Sequence, residues 1–474
     1  MNIDLSLLTL EISTATLAIA ILVLGLLIPR KMHRGLYAFA VLGFLGIAGI
    51  GVGVWNIQGT LFDGMYIVDK YATFFKILFL SGAFLVTLGS SNYVAEMCNK
   101  YEYYSLLAFA TVGMMVMASA GDFITLFIGL ELMAIAFYIL VCYNKTEAKS
   151  VEAGIKYILL SAVSSAVLLY GLSLVYGYTG SIVIYEVGAF VKTNPLNPIL
   201  IIGLTMLVAG LGFKISAVPF HMWSPDIYEG APTPITSYLA LGSKAASFAL
   251  LIRIFMTALS GVWMNWVMLF AVLAALTMIL GNLIAIPQTN VKRMLAYSSV
   301  AQAGYMLVGM VAVSQAGIKG IMFYAFLYVF ATVGAFTVVT YYYTIVKSDE
   351  ISDYAGLSQR SPLMAAVLVI SMLSMAGIPP LAGFVGKVYL FTAIAQDYLW
   401  LMLLGFIMSM VSVYYYLRLT LVMYRDPPAD PEPIKVPGHV TITLIVALVA
   451  TIAIGVYPNP LSEIVNIAAQ SFFR

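Results

Sequence analysis

An all-α polytopic membrane protein of about fourteen transmembrane helices is the fold class this sequence predicts, and three observations predict it. Of 474 residues, 62% are hydrophobic and only 9% are charged, with a mean hydropathy of +0.99. A soluble domain carries roughly 25% charged residues. Apolar runs long enough to cross a hydrocarbon core of roughly 30 Å recur along the whole chain, and no soluble domain remains once they are removed. The basic residues gather in alternate loops, as the positive-inside bias demands of a chain threaded back and forth through a bilayer.

Taken in order, the expected spans are 8–28, 36–55, 72–92, 103–120, 122–142, 155–176, 197–217, 234–258, 263–286, 294–313, 320–346, 362–396, 399–424 and 438–457. The N-terminal MNIDLSLLTLEIST lacks the positive region of a cleaved signal peptide. Arg30, Lys31 and Arg34 follow the first apolar run, which puts the N-terminus outside. One set of loops collects these three with Lys100, Lys145, Lys149, Lys292, Arg293, Lys347, Arg360, Arg425 and Lys435. The other set holds only Lys70, Lys192, Lys319 and Arg474. The first side reads as cytoplasmic, and an even helix count leaves both termini outside. Stretch 362–396 is too long for one span and is interrupted by Gly377-Ile378-Pro379-Pro380, so it reads as a discontinuous helix. A second proline break is expected near Pro219. Ile155-Lys156-Tyr157-Ile158-Leu159 echoes Val291-Lys292-Arg293-Met294-Leu295, and each precedes a segment with a break. An odd number of helices per copy would make such copies inverted in the membrane.

Several functions are excluded by what is missing. Cys98 and Cys142 form no CxxC pair, and His33, His221 and His439 are too scattered for a zinc site or paired haem ligation. No phosphate-binding loop occurs. Gly43, Gly46, Gly49 and Gly53 recur at helical spacing and read as a close-packing face between helices. Without a redox centre or an ATPase motif, the chain must draw energy from an ion gradient or a partner.

Charges inside the spans point to the function. A charged side chain at the bilayer centre costs roughly 2.5–3.5 kcal/mol on insertion scales. Glu131, Lys214, Lys244 and Lys387 all sit deep in apolar segments, and snorkelling would have to bridge two turns or more for Glu131, Lys244 and Lys387. Lys214 lies beside the first break. Lys76 and Arg418, near helix ends, fit snorkelling, and Glu11 is also close to an end. Burial lowers a lysine pKa and a nearby carboxylate raises it, so buried lysines balanced between the two can exchange protons. A glutamate that pairs with or leaves Lys214 would act as an electrostatic switch. Glu131, Lys214, Lys244 and Lys387 therefore read as a proton relay, with the two breaks marking half-channels. Segment 219–234 reads either as a plain loop or as a proton-collecting one. In the second case His221, Asp226 and Glu229 are secondary candidates.

Three long motifs carry a resemblance: KISAVPFHMWSPDIYEGAPTP (214–234), VKRMLAYSSVAQAGYMLVG (291–309) and MAGIPPLAGFVGKVYLF (375–391). The chain resembles, over nearly its whole length, the antiporter-like subunits of respiratory complex I, and the YSSVAQAGYMLVG wording is most like subunit N. The M type carries glutamate where this chain has Lys387, and the L type continues into a long lateral helix. The resemblance implies fourteen helices with two inverted five-helix repeats. The implied division is 1–102 for helices 1–3, 103–258 for the first repeat, 263–424 for the second and 438–457 for helix 14. It also implies roles: Glu131 as the helix 5 glutamate, Lys214 as its helix 7 partner, Lys244 as the central residue and Lys387 as the last, from which the proton leaves. The implied activity is proton translocation within a redox-driven NADH:quinone oxidoreductase in an energy-transducing membrane, most simply the prokaryotic cell membrane. No cofactor is expected on this chain; FMN, iron–sulfur clusters and quinone are expected on partner subunits. Expected partners are other membrane subunits, including sister antiporter-like chains, and indirectly the redox arm, with no nucleic acid. Relatives with another electron donor would look much the same. The alternative is a subunit of a multi-subunit Mrp-type cation/proton antiporter; a lone solute transporter would want more varied polar groups at mid-membrane.

Overall fold

The structure, a computed structural model, describes residues 4–29, 33–97, 100–194 and 196–473, with His33 and Arg34 described by their backbone alone. Arg30, Lys31, Cys98 and Arg474, used in the sequence reading, lie outside the described residues. In chain order the helices are α1 Thr9–Leu27, α2 His33–Gly53, α3 Lys70–Ala95, α4 Lys100–Ser119, α5 Phe123–Val141, α6 Ala148–Thr179, α7 Ile184–Thr193, α8 Pro198–Lys214 and α9 Trp223–Gly230. There follow α10 Thr233–Ala258, α11 Trp263–Ala285, α12 Val291–Val311, α13 Gln315–Val346, α14 Pro362–Ala376, α15 Ala382–Thr392, α16 Leu399–Arg425, α17 Gly438–Val456 and α18 Asn459–Ala469. Eleven of the described helices are long and apolar enough to cross a membrane.

Local chemistry sets the helix ends. Asp69, Asp122, Asn290 and Ser314 each precede a helix and accept a hydrogen bond from a first-turn amide, at the starts of α3, α5, α12 and α13. α6 begins about two turns before the expected span, because a polar segment with Lys149 and Glu152 extends the helix beyond its apolar run. α10 contains π-helical turns at Leu239–Ser243 and Ile254–Ala258, the first directly preceding Lys244.

Both breaks occur where proline predicts them. α8 ends at Lys214 and the chain turns through Ser216, at a left-handed φ of 60°, before α9 begins. α14 ends on Gly377, also left-handed, and α15 resumes at Ala382. The segment 219–234 is not a plain loop: α9 lies within it and buries Trp223, Ile227 and Tyr228. Two short helices escaped the sequence reading. α7 packs Ile184, Val187 and Val191 inward at the end of α10, and α18 lies against α3 and α13. A two-stranded hairpin, β1 Gly59–Leu61 and β2 Tyr66–Val68, closes the α2–α3 connection.

Packing is closest where glycines meet. A Cβ on Gly113 of α4 would lie 2.5 Å from the Met133 backbone nitrogen of α5, so these helices touch backbone to backbone. The expectation for α2 fails: Gly43 meets Leu17, but nothing lies within 4 Å of a Cβ at Gly46, Gly49 or Gly53. Those three glycines face outward on a smooth helix surface. At the centre, every residue of α12 except Arg293 is buried, and α10 is enclosed almost as completely. The deep lysines are arranged around these two helices.

Candidate functional site: a buried lysine series

Lys214 ends α8 with its side chain 5% exposed, and its ammonium donates to Ser161 Oγ of α6 at 2.7 Å. The phenol of Tyr138 on α5 donates to the same oxygen at 2.7 Å. One turn along α6, Ser165 donates to Glu131 Oε1 at 2.6 Å. Glu131 is half-buried, beside an outward row of Ile124, Ile128, Ile135 and Ile139. The expected direct Glu131–Lys214 pair is absent from the ion pairs found among the described residues. Two serine hydroxyls, each able to donate and accept, stand between the two charges.

Lys244 is buried on α10, and its ammonium donates to Ser299 at both the backbone oxygen (2.8 Å) and Oγ (2.6 Å). The Tyr228 ring of α9 lies 5.8 Å away. Lys387 on α15 crosses the second break to donate to Ala376 O, the last carbonyl of α14, at 3.0 Å, and to Ser409 Oγ of α16 at 2.9 Å. A helix C-terminus is the negative end of its dipole, and the Tyr305 ring face is 4.1 Å from the ammonium; both favour a cation. Gly377 is needed here, since a Cβ would lie 3.0 Å from the Lys387 side chain and its φ is +87°. Among the described residues, none of Lys214, Lys244 and Lys387 has a carboxylate in ion-pair contact.

Between Lys244 and Lys387 runs a polar thread absent from the sequence reading. Tyr324 donates to Gln302 Oε1 at 2.5 Å, and the Gln302 amide reaches Met375 O at 3.0 Å and the Tyr416 hydroxyl at 3.3 Å. Tyr416 also bonds Ser298. Asn282 bonds the hydroxyls of Tyr305 and Tyr415, each at 3.1 Å. The available signal was the spacing of Ser298, Ser299, Gln302 and Tyr305, polar residues three to four apart in an otherwise apolar span.

His221, 5% exposed, sits between the Lys214 break and Lys244, with neither ring nitrogen in a well-formed hydrogen bond. Ser224 Oγ and Tyr228 OH, three and seven residues on, are also buried without one. Asp226 and Glu229 lie apart from this group, at the face rich in lysine and arginine. Arg293 bonds both, at 2.9 and 3.0 Å, while Lys156 holds Asp226 at 3.0 Å and Lys149 holds Glu229 at 3.2 Å. Burial alone would raise these carboxyls, but the hydrogen bonds from Lys156, Lys149 and Arg293 outweigh it and keep both below the usual range. That is the geometry of a clamp joining α6, α9 and α12.

Lys76 does not snorkel. It is 1% exposed and pairs with Glu11 of α1 at 2.8 Å, so both charges near the helix ends turn inward toward each other. Arg418 does reach a helix end, donating to the carbonyls of Ile286 (2.8 Å) and Gln288. A further buried pair, Arg253–Asp69 at 2.7 Å, ties the end of α10 to the start of α3 and packs against Tyr71 and Phe472.

The chain is similar to known proteins over nearly its whole length. A protein of Desulforamulus reducens named NADH-quinone oxidoreductase subunit N is 62% identical over 473 residues, covering 100% of this chain and 99% of its own. A chain of respiratory complex I from Thermus thermophilus with bound Aureothin superposes with a TM-score of 0.82 at 31% identity, covering 96% of this chain and 98% of its own. A chain of the membrane-bound sulfane sulfur reductase, an archaeal respiratory membrane complex, reaches 0.89 at 27% identity, covering 98% and 97%. Residues 120–412, which contain every deep lysine of the series and both breaks, match the family described as "NADH:quinone oxidoreductase/Mrp antiporter, TM", and the chain belongs to that family.

Proposed function

We propose that this chain is the N-type membrane subunit of a redox-driven NADH:quinone oxidoreductase-type complex and that it moves protons along Glu131, Lys214, Lys244 and Lys387. The observation that carries this reading is three lysines buried in series, each held only by hydroxyls and carbonyls. A lysine placed for structure alone would have a carboxylate, as Lys76 has Glu11. Ser161 and Ser165 pass charge between Glu131 and Lys214, His221 with Ser224 and Tyr228 of α9 leads on to Lys244, and the Gln302 thread leads from Lys244 to Lys387. Motion of charge or water at Glu131, on its half-exposed face, shifts whether Lys214 holds its proton.

In this reading the basic face is cytoplasmic, both termini lie outside, and the chain crosses the cell membrane fourteen times, with helices 4–8 and 9–13 as inverted repeats. FMN, iron–sulfur clusters and quinone belong to partner subunits, and electron transfer occurs there. Sister antiporter-like chains adjoin it. Lys214→Ala or Glu131→Ala, in the assembled complex in proteoliposomes, is expected to lower quinone-linked turnover and proton pumping together while assembly survives. Unchanged pumping in either variant removes that residue from the relay. Cation transport driven by an ion gradient without reductant would instead favour an Mrp-type antiporter subunit.

A further inference from the structure

We propose that Asp349 and Lys292 form the port through which protons enter this subunit from its basic face, an inference that rests on the relay reading above. A cavity of about 510 Å³ opens on that face, lined by Glu147, Lys149, Lys292, Lys347, Asp349 and Glu350 among others. It lies where the end of α13 folds back on the start of α12. The Val291 amide donates to Asp349 O at 2.8 Å, and the Ile351 amide to Thr289 O at 2.8 Å. These bonds hold the Asp349 side chain, 12% exposed, at the cavity wall.

Asp349 differs from Asp226 and Glu229. Those two are each held by two cations, whereas the one ion-pair contact of Asp349 among the described residues is Lys292, at a loose 3.7 Å, and its Oδ1 is buried without a hydrogen bond. A buried carboxylate oxygen left open is costly unless it takes a proton or a water. Burial raises the Asp349 carboxyl above the usual range, against the pull of Lys292 and Lys149 and with the push of Glu229.

From this point inward the groups follow one another. Lys292, 5% exposed, donates to Ala231 O at 2.8 Å, where α9 meets α10. Tyr228, three residues before Ala231, has its ring 5.8 Å from the Lys244 ammonium. Ser299, which holds Lys244, lies seven residues beyond Lys292 on the same face of α12, two turns or roughly 10 Å deeper. Protonated Lys292 gives its proton inward through the Tyr228 hydroxyl and water. Asp349 then reprotonates it and takes a proton from hydronium in the cavity. Only protons move.

The test uses the assembled complex in proteoliposomes, with turnover and pumping expressed per assembled complex for Asp349→Asn, Asp349→Glu and Lys244→Ala. The port predicts a severalfold loss of both activities in Asp349→Asn, retention in Asp349→Glu, and partial recovery of Asp349→Asn by a small permeant weak acid such as formate. A merely structural carboxylate would not respond to formate. Wild-type activity in Asp349→Asn beside a crippled Lys244→Ala overturns the port and leaves the relay standing. So does an impaired Asp349→Asn that neither glutamate nor formate restores, or one that fails to assemble while Asp349→Glu assembles. Wild-type pumping in Lys244→Ala would instead remove the relay itself.

Discussion

The Glu11–Lys76 pair offers a sharp energetic test, because both groups are buried and each is the other's only ion-pair partner among the described residues. Lys76 is 1% and Glu11 8% exposed, with Nζ and Oε1 2.8 Å apart. Glu11 has no hydrogen bond to share its charge, and the Tyr66 ring lies 5.2 Å from the ammonium. Lys76→Met removes the cation and leaves a carboxylate enclosed by α1, α3 and β2. Breaking a buried pair from one side costs about 3–5 kcal/mol, whereas replacing both partners with apolar groups is often neutral or stabilising. At 1.4 kcal/mol per tenfold, the single variant shifts the equilibrium between packed and loosened α1 by about two to three and a half orders of magnitude. Glu11→Leu combined with Lys76→Met should return it to near the wild-type value. The assay is the midpoint of thermal inactivation of the purified complex, together with the fraction of this subunit retained after a detergent challenge. A single variant as stable as the native chain, or a double variant as unstable as the single, would refute the premise that burial, and not mere contact, makes the pair matter. Pumping per intact complex should stay near normal in the double variant, since neither residue belongs to the lysine series.

Further expectations follow from the same geometry. Lys387→Glu should abolish pumping even though a carboxylate also carries protons. The Ala376 carbonyl and the Tyr305 ring face present negative charge to that side chain, and proton pumping in proteoliposomes reads the loss. The Arg293 clamp should depend on pH with a definite sign. Because Asp226 and Glu229 have lowered pKa values, their contribution is full above the ordinary carboxylate range and is lost as pH falls through and below it. Arg293→Leu should therefore lower the thermal midpoint at neutral pH and have no further effect at strongly acid pH, by a modest amount given the partly exposed carboxylates. Gly113→Val should block assembly, because its Cβ would meet backbone atoms of α5 that no rotamer change can move, and subunit content of the isolated membranes measures it.

How much of this was legible in the linear chain depended on whether the signal was local. The positions of the long apolar helices, eleven of them long enough to cross among the described residues, followed from hydropathy, because a bilayer asks a similar apolar length of each span regardless of its neighbours. The breaks at Pro219 and Pro379-Pro380 were equally plain, since proline removes a donor wherever it stands. Lys244 and Lys387 stood out because an ammonium in an apolar run is expensive whatever surrounds it. Lys76 was misjudged for the converse reason: position near a helix end permits snorkelling, and only the approach of α1 reveals Glu11 as the better partner. The α2 glycines misled in the same way, since helical spacing describes a smooth face without saying what lies against it.

By itself, then, the sequence determined that this protein is a bundle of membrane helices interrupted twice, with a mid-span glutamate, Glu131, and three mid-span lysines, Lys214, Lys244 and Lys387, inside the family-matching region. Those are properties of single residues in a fixed solvent. Only the tertiary structure decided who meets whom. It set two serines between Glu131 and Lys214, threaded Gln302, Tyr324 and Tyr416 between Lys244 and Lys387, bound Asp226 and Glu229 in a clamp, and left Asp349 open at a cavity wall. The physical reason is reach. A hydrogen bond acts over about 3 Å, and the residues it joins here stand from 22 to 114 positions apart, so no local pattern in the chain could announce the pairings.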